Sequence, residues 1–416
     1  MIWYRTRSSV RPAQVRDENK TESKRPIRIM AEAQINPAIL TWALQRSGID
    51  ALVLADRLGT ATARVVSWET GERKPTFRQA KRIAEITHIP FGYFYLPEPP
   101  EEALPIADFR TVGDDPVRPL SADFRDIFND VMRKQTWFRE YRQLQGQEPL
   151  AFIGRFNVRS TPTDIAADVA RTLQVTAQDR INCANWEDYL RLLIARIEDA
   201  GILVMRSGIV GNNTHRPLSV DEFRGFVVAD QYAPVVFLNG KDAKAAQIFT
   251  LIHEIAHLWL GESGVSNERI GSAQQHGGNI ERLCNATAAE FLVPAAEFQA
   301  RWNDQAGFVA QVRELARTFK VSGVVVGRRA VELRLAPWNE FAVFYQAERE
   351  AWAAVVARQS SGGNPYKTSA VRNGKLLTKA VLETAFEGRM LLRDAGSLLG
   401  VAPANLKKLA SSVYGE

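Results

Sequence analysis

A multidomain α+β protein, with a small all-α domain near its N-terminus and a helical segment at its C-terminus, is predicted by three observations. Residues 38–96 repeat apolar side chains at helical spacing, with glycines at the breaks. Residues 202–239 hold three short β-type runs flanked by helical stretches. Residues 338–416 return to amphipathic helix around a Gly-rich turn, SGGNPY at 361–366. The length, 416 residues, suits two to three domains, and 45% hydrophobic with 24% charged residues is an ordinary globular balance. No apolar run approaches the ~18 residues of a membrane span, so no membrane partner is expected.

The net charge of +6 is unevenly placed. Residues 1–29 hold eight basic and three acidic residues, which leaves the rest of the chain close to neutral. This basic stretch has low hydrophobicity and no periodicity, and residues 1–37 are expected to be a disordered extension. Met30 opens a sensible protein start, so either Met1 or Met30 can be the true initiator, and no function is rested on the extension. Two cysteines, Cys183 and Cys284, exclude a disulfide framework and a four-cysteine zinc site. A reducing cytoplasm is the expected setting.

The first domain, 38–96, reads as short helices. Leu40, Ala43 and Leu44 mark one, Leu52, Leu54, Ala55 and Leu58 the next, Val65, Val66 and Trp68 a third, and Ala80, Ile83, Ala84 and Ile86 a fourth. Gly48, Gly59 and Gly71 punctuate them, Pro90 ends the last, and FGYFYLP adds aromatic packing. Residues 97–120, rich in proline and acid, predict an extended linker. In 121–160 a connecting helix carries Phe124, Ile127, Phe128, Val131, Met132, Trp137 and Tyr141 on one stripe. The α+β domain, 161–335, opens with helix over 162–200. The runs ILVM (202–205), FRGFVVA (223–229) and PVVFLN (234–239) follow, then the helix KAAQIFTLIHEIAHLWL, a glycine/serine-rich loop over 261–279 and a second helix, IERLCNATAAEFLVP. No internal repeat is evident. In the helical C-terminal segment, 336–416, the stretch RDAGSLLGVAPANLKKLA has the look of a helix-turn-helix but no basic recognition face, so packing or dimerisation is expected of it.

His253-Glu254-Ile255-Ala256-His257 is the chemically informative stretch. Histidines at i and i+4 of a helix face the same way, so both imidazoles can hold one zinc ion. Glu254 falls beside the metal rather than on it, where it can take a proton from activated water and pass it to a leaving amine. A third protein ligand is needed, and the extension HExxHxxGxxH fails, since position 260 is leucine and position 263 serine. The downstream acids are Glu262, Glu268, Glu281 and Glu290; Glu281, opening the next helix, is the best placed. Asn285, one turn later, can orient a ligand from behind. Cys284 reads as buried packing, and His276 as a weak contributor to transition-state stabilisation.

The segment AQIFTLIHEIAHLWLGESGVSN followed by IERLCNATAAEFLVP, with the preceding strands, resembles the ImmA/IrrE family of metallopeptidase-like proteins over roughly 200–295. The resemblance implies a gluzincin-like zinc fold, with His253, His257 and Glu281 as ligands and Glu254 as catalytic base. It also implies a repressor-like protein substrate.

The stretch from Leu52 to Ala84 resembles the Xre-type (lambda-repressor-like) helix-turn-helix family through Ala55, the turn Gly59, SWETGERKPT (67–76) and Ile83-Ala84. That resemblance implies a scaffold helix over 51–58 and a recognition helix at about 61–69. Thr60, Thr62, Arg64 and Ser67 would face the major groove while Val65 and Trp68 pack inward. Arg73, Lys74 and Arg78 suit phosphates, and Arg64 a base edge. A double-stranded DNA operator and a homodimer are the implied partners. The combined expectation is a DNA-binding transcriptional regulator whose zinc endopeptidase cleaves a partner repressor, or itself, on a signal. The alternatives are a non-proteolytic metal-sensing regulator and an antitoxin-like autoregulator of a toxin–antitoxin operon.

Overall fold

The computed structural model describes residues 31–100, 106–108, 120–267, 278–303, 305–356 and 365–415. Met30, Glu268, His276 and the turn residues 361–364 lie outside them. The chain divides into two compact units, Met1–Pro100 and Glu101–Glu416.

In the first unit, α1 (Pro37–Ser47), α2 (Ala51–Leu58), α3 (Thr62–Glu69) and α4 (Phe77–Thr87) precede a 3-10 turn, Phe91–Tyr95. Each helix start has a local cause. The Asn36 side chain accepts from the Ala38 N–H and that of Asp50 from the Val53 N–H, while Thr76 and Gln79 cap α4 reciprocally. Ile39, Leu40, Leu54, Val65, Trp68, Ile83 and Phe94 close the core. Two expectations change here. Residues 31–37 belong to the domain rather than to a disordered extension, because Ala33 and Ile35 are buried and the Ala33 N–H donates to the Pro75 carbonyl. Leu52 and Val66, counted as core by periodicity, are 64% and 45% exposed.

The second unit opens with β1 (Ala107–Asp108), α5 (Ala122–Leu144), α6 (Pro162–Thr172), α7 (Ala177–Asn182) and α8 (Trp186–Asp199). Next come β2 (Leu203–Ser207), β3 (Ile209–Val210), β4 (Asn213–Pro217), β5 (Gly225–Val228) and β6 (Val235–Asn239). α9 (Lys244–Leu260), β7 (Gly264–Ser266) and α10 (Asn279–Leu292) carry the chemistry discussed below. The remainder is helical: α11 (Ala295–Arg301), α12 (Phe308–Phe319), α13 (Gly323–Glu332), α14 (Trp338–Val356), α15 (Pro365–Asn373), α16 (Lys375–Phe386), α17 (Leu392–Leu399) and α18 (Leu406–Tyr414).

The main sheet has the order β1-β7-β5-β6-β2, parallel at both outer pairs and antiparallel at the two inner ones. Its central strands are apolar throughout because both faces are covered. Val204, Val227, Val236 and Leu238 point to a layer containing α6, α8, α9, α10, α12 and α13. Leu203, Met205, Phe226, Val228, Val235 and Phe237 point to the opposite layer, which contains α5 and α16–α18. The helix read as a connector (121–160) and the C-terminal segment (336–416) therefore build the unit around residues 161–335. The sequence reading also missed four strands. β1 lies in the proline-rich linker, β7 in the stretch taken for a loop, and β3–β4 form a separate hairpin. None of the four exceeds five residues, and β1 and β7 gain their hydrogen bonds from each other and from β5, which no local pattern reveals.

Candidate metal centre and helix-turn-helix face

Helix α9 is apolar around most of its circumference, with Leu251, Ile252, Ile255, Leu258 and Trp259 buried, and its ends are anchored. The Gln247 amide donates to the Asp242 carbonyl at the start, at 2.9 Å. At the other end the N–H groups of Gly154 and Phe156 donate to the carbonyls of Leu258 and Trp259. The Trp259 indole donates to Asp168 at 2.8 Å, and Asp168 is paired with Arg155 and Arg171. Gly261 ends the helix in the left-handed region, and a Cβ there would lie 3.0 Å from Gly154 Cα.

This rigid helix presents His253 and His257 to Glu281, which α10 holds alongside. The two Nε2 atoms are 3.1 Å apart, and they lie 3.2 Å and 3.1 Å from the two oxygens of Glu281. Ligand atoms at 2.0–2.1 Å from a tetrahedral ion would be about 3.3 Å apart, so the triangle has the size a metal requires. Among the described residues this is the cluster of three His, Cys, Asp or Glu side chains able to hold an ion. Both Glu281 oxygens are buried and find no hydrogen-bond partner beyond the facing imidazoles, a gap that a cation would fill. Burial works against charge on Glu281, but His253 and His257 outweigh it and hold the carboxyl below the usual carboxylate range. Burial likewise pushes the His257 imidazole down, toward the neutral form that ligates metal.

The orientation of His253 has its own support. Its Nδ1 lies 3.0 Å from Asn285 Oδ1. An amide oxygen there accepts the Nδ1 proton and leaves the Nε2 lone pair for a metal. Glu254 is buried beside the cluster, its Oε1 over the backbone of Gly225. A Cβ at Gly225 would sit 2.6 Å from that oxygen, so the glycine that opens β5 makes room for the carboxylate. Sequence reasoning missed Gly225, because a lone glycine in a strand carries no signal of what approaches it. The other acids are elsewhere: Glu290 pairs with Arg329, and Glu262 is outside the cluster. Cys284 is buried in the core.

In the first unit, α2 and α3 are joined through Gly59 at φ 64°. Val65 and Trp68 are buried at 0% and 2%, as the helix-turn-helix reading requires. Arg64, Arg73, Lys74 and Arg78 are exposed, and Thr60, Thr62 and Ser67 half-buried. The Ser67 hydroxyl donates to the Arg64 carbonyl, and the Lys74 ammonium meets the Gln34 amide oxygen.

Comparison with known families agrees with this division. A helix-turn-helix family matches residues 40–94, and the IrrE N-terminal-like domain, a peptidase family, matches 197–331. A domain family of unknown function matches 373–412. No curated protein matches the chain. No helix among the described residues is long and apolar enough to cross a membrane. The chain thus carries a helix-turn-helix domain over 40–94 together with a domain similar to the IrrE-like peptidase family over 197–331.

Proposed function

We propose that this protein is a cytoplasmic, DNA-binding transcriptional regulator whose second unit is a zinc-dependent endopeptidase of gluzincin type. Its substrate would be a repressor-like partner or the chain itself, cleaved in response to a signal. One observation carries the reading: His253, His257 and Glu281 converge within 3.2 Å of one another, with Glu254 buried alongside. Two neutral imidazoles and one carboxylate are a catalytic rather than a structural zinc set, since three protein ligands leave a coordination position open. When bound, zinc would polarise the scissile carbonyl and acidify water. Glu254 would accept the proton from the attacking water and deliver it to the leaving amine nitrogen. Asn285 keeps His253 in the ligating tautomer, and the space over Gly225 keeps the Glu254 carboxylate in place.

On the DNA side, Arg64 would read a base edge, with Thr60, Thr62 and Ser67 beside it in the major groove. Arg73, Lys74 and Arg78 would contact phosphates, and a homodimer would span a two-fold operator. Joining the two activities raises the concentration of the peptidase beside a repressor bound at the same promoter. The test compares newly generated protein N-termini in cells expressing wild type or Glu254→Gln. Termini present only with wild type identify the substrate, including self-cleavage. Identical sets in both would favour a metal-sensing regulator that cuts nothing, a reading to which the burial of all three ligands also lends support.

A further inference from the structure

We infer that residues 375–414 form a second helix-turn-helix, with α18 as a second recognition helix for duplex DNA. The chain repeats one backbone pattern in α2–α3 and α17–α18, residue by residue through the turn. Helices α2 and α17 are both eight residues long. The Leu54 N–H donates to the Asp50 carbonyl and the Ala395 N–H to the Leu391 carbonyl, each at 3.0 Å. The turns that follow close alike, through Thr60 N–H to the Ala55 carbonyl at 3.0 Å and Val401 N–H to the Gly396 carbonyl at 2.9 Å. Their glycines share one backbone conformation, φ 64° and ψ 42° at Gly59 against φ 67° and ψ 33° at Gly400. Ala61 and Ala402 then adopt similar backbone angles, φ -76° and ψ 141° against φ -58° and ψ 138°.

Packing repeats as well. Val65 and Trp68 are the buried pair of α3, and Leu406 and Leu409, at the matching positions, are buried in α18. The helix before each motif crosses its second helix, α1 on α3 and α16 on α18. The segments LGTATA (58–63) and LGVAPA (399–404) share four of six residues. Four matches in six residues give the stretch the look of a helix-turn-helix but are too few to show as an internal repeat. Gly396 replaces Ala55 because the second turn is tighter: a Cβ there would meet the Val401 carbonyl oxygen at 2.6 Å.

The surface chemistry favours DNA. The sequence reading found no basic face here, but α18 turns Lys407, Lys408 and Ser411 to solvent. Neither lysine forms an ion pair among the described residues, whereas Arg389 and Arg393 are paired with Glu387 and Asp394. Asn405 stands at the position that Arg64 holds in α3, and asparagine there suits an adenine edge. The lysines then serve adjacent phosphates.

The test measures binding of the full chain to a fluorescein-labelled random-sequence DNA duplex of ~30 bp, across a salt series. Lys407→Ala/Lys408→Ala should weaken binding about tenfold or more at low salt and lower the slope of log K against log salt by about 2, since each phosphate contact contributes ~0.9. Lys407→Arg/Lys408→Arg should retain both, and thermal unfolding and metal content should match wild type. Unchanged affinity and slope in the alanine variant would overturn the inference, as would equal loss on single-stranded RNA. Arg73→Ala/Lys74→Ala/Arg78→Ala, measured alongside, keeps the two motifs separable. If only that variant loses binding, the second motif fails and the first stands; if only the α18 variant does, the reverse holds.

Discussion

The metal cluster and the α3 face differ in how each draws chemistry from the fold. At the cluster, four ionisable groups lie within two buried helices, so position, tautomer and charge depend on one another. On α3 the polar groups stand in or near solvent and only Val65 and Trp68 are fixed by packing. A buried site should therefore fail as a unit, while an exposed one should lose its contributions singly.

The largest effect should follow Glu281→Ala, which leaves two imidazoles and a large gap in charge. Metal affinity should fall by more than the 10–100-fold typical of a residue behind a ligand, read by titrating the apoprotein with zinc. Full metal retention would give the third-ligand role to another acid. Gly225→Ala is next and sharpens the comparison, because it touches no ligand. Its Cβ would displace the Glu254 carboxylate, and substrate cleavage should drop by about a hundredfold or more while metal content is kept. Unaltered cleavage would show that Glu254 does not act from that position.

Arg64→Ala should cost about 1–3 kcal/mol at the specific operator, measured by competition against random DNA, and leave non-specific binding nearly intact. Equal loss on all sequences would contradict a base-reading role. The smallest effect extends the burial rule away from the metal. Glu198 of α8 accepts the Leu376 N–H at the start of α16, and burial pushes its carboxyl up to about 7. A carboxyl whose folded pKa is raised stabilises most in its protonated form, below the unfolded value near 4.3, and that stability is lost as pH rises through about 7. Glu198→Gln keeps an acceptor for Leu376 and removes the charge. It should raise the unfolding temperature at pH 8 relative to wild type and change little at pH 5. An equal effect at both pH values would contradict the burial argument.

The two regions also differ in how they could be read. Periodicity and Gly59 marked two helices here, and the helix-turn-helix resemblance placed α2 on its observed residues and α3 within one, because these signals are local. The i, i+4 pair His253 and His257 was equally local, and Glu281 was found because it opens the next helix. Gly225 and the strand β7 were not legible, since both owe their roles to residues distant in the chain. For the same reason α5 and the C-terminal helices were read as flanking regions rather than as a layer of the sheet.

The most direct test replaces Glu254 by glutamine in cells, with metal content and the response of the protein's own promoter measured together. Glutamine preserves the shape of the side chain but cannot take up a proton. The account predicts that the variant keeps its metal and loses the regulatory response. A variant that keeps both would contradict it, leaving His253, His257 and Glu281 as a metal-held scaffold within a DNA-binding protein.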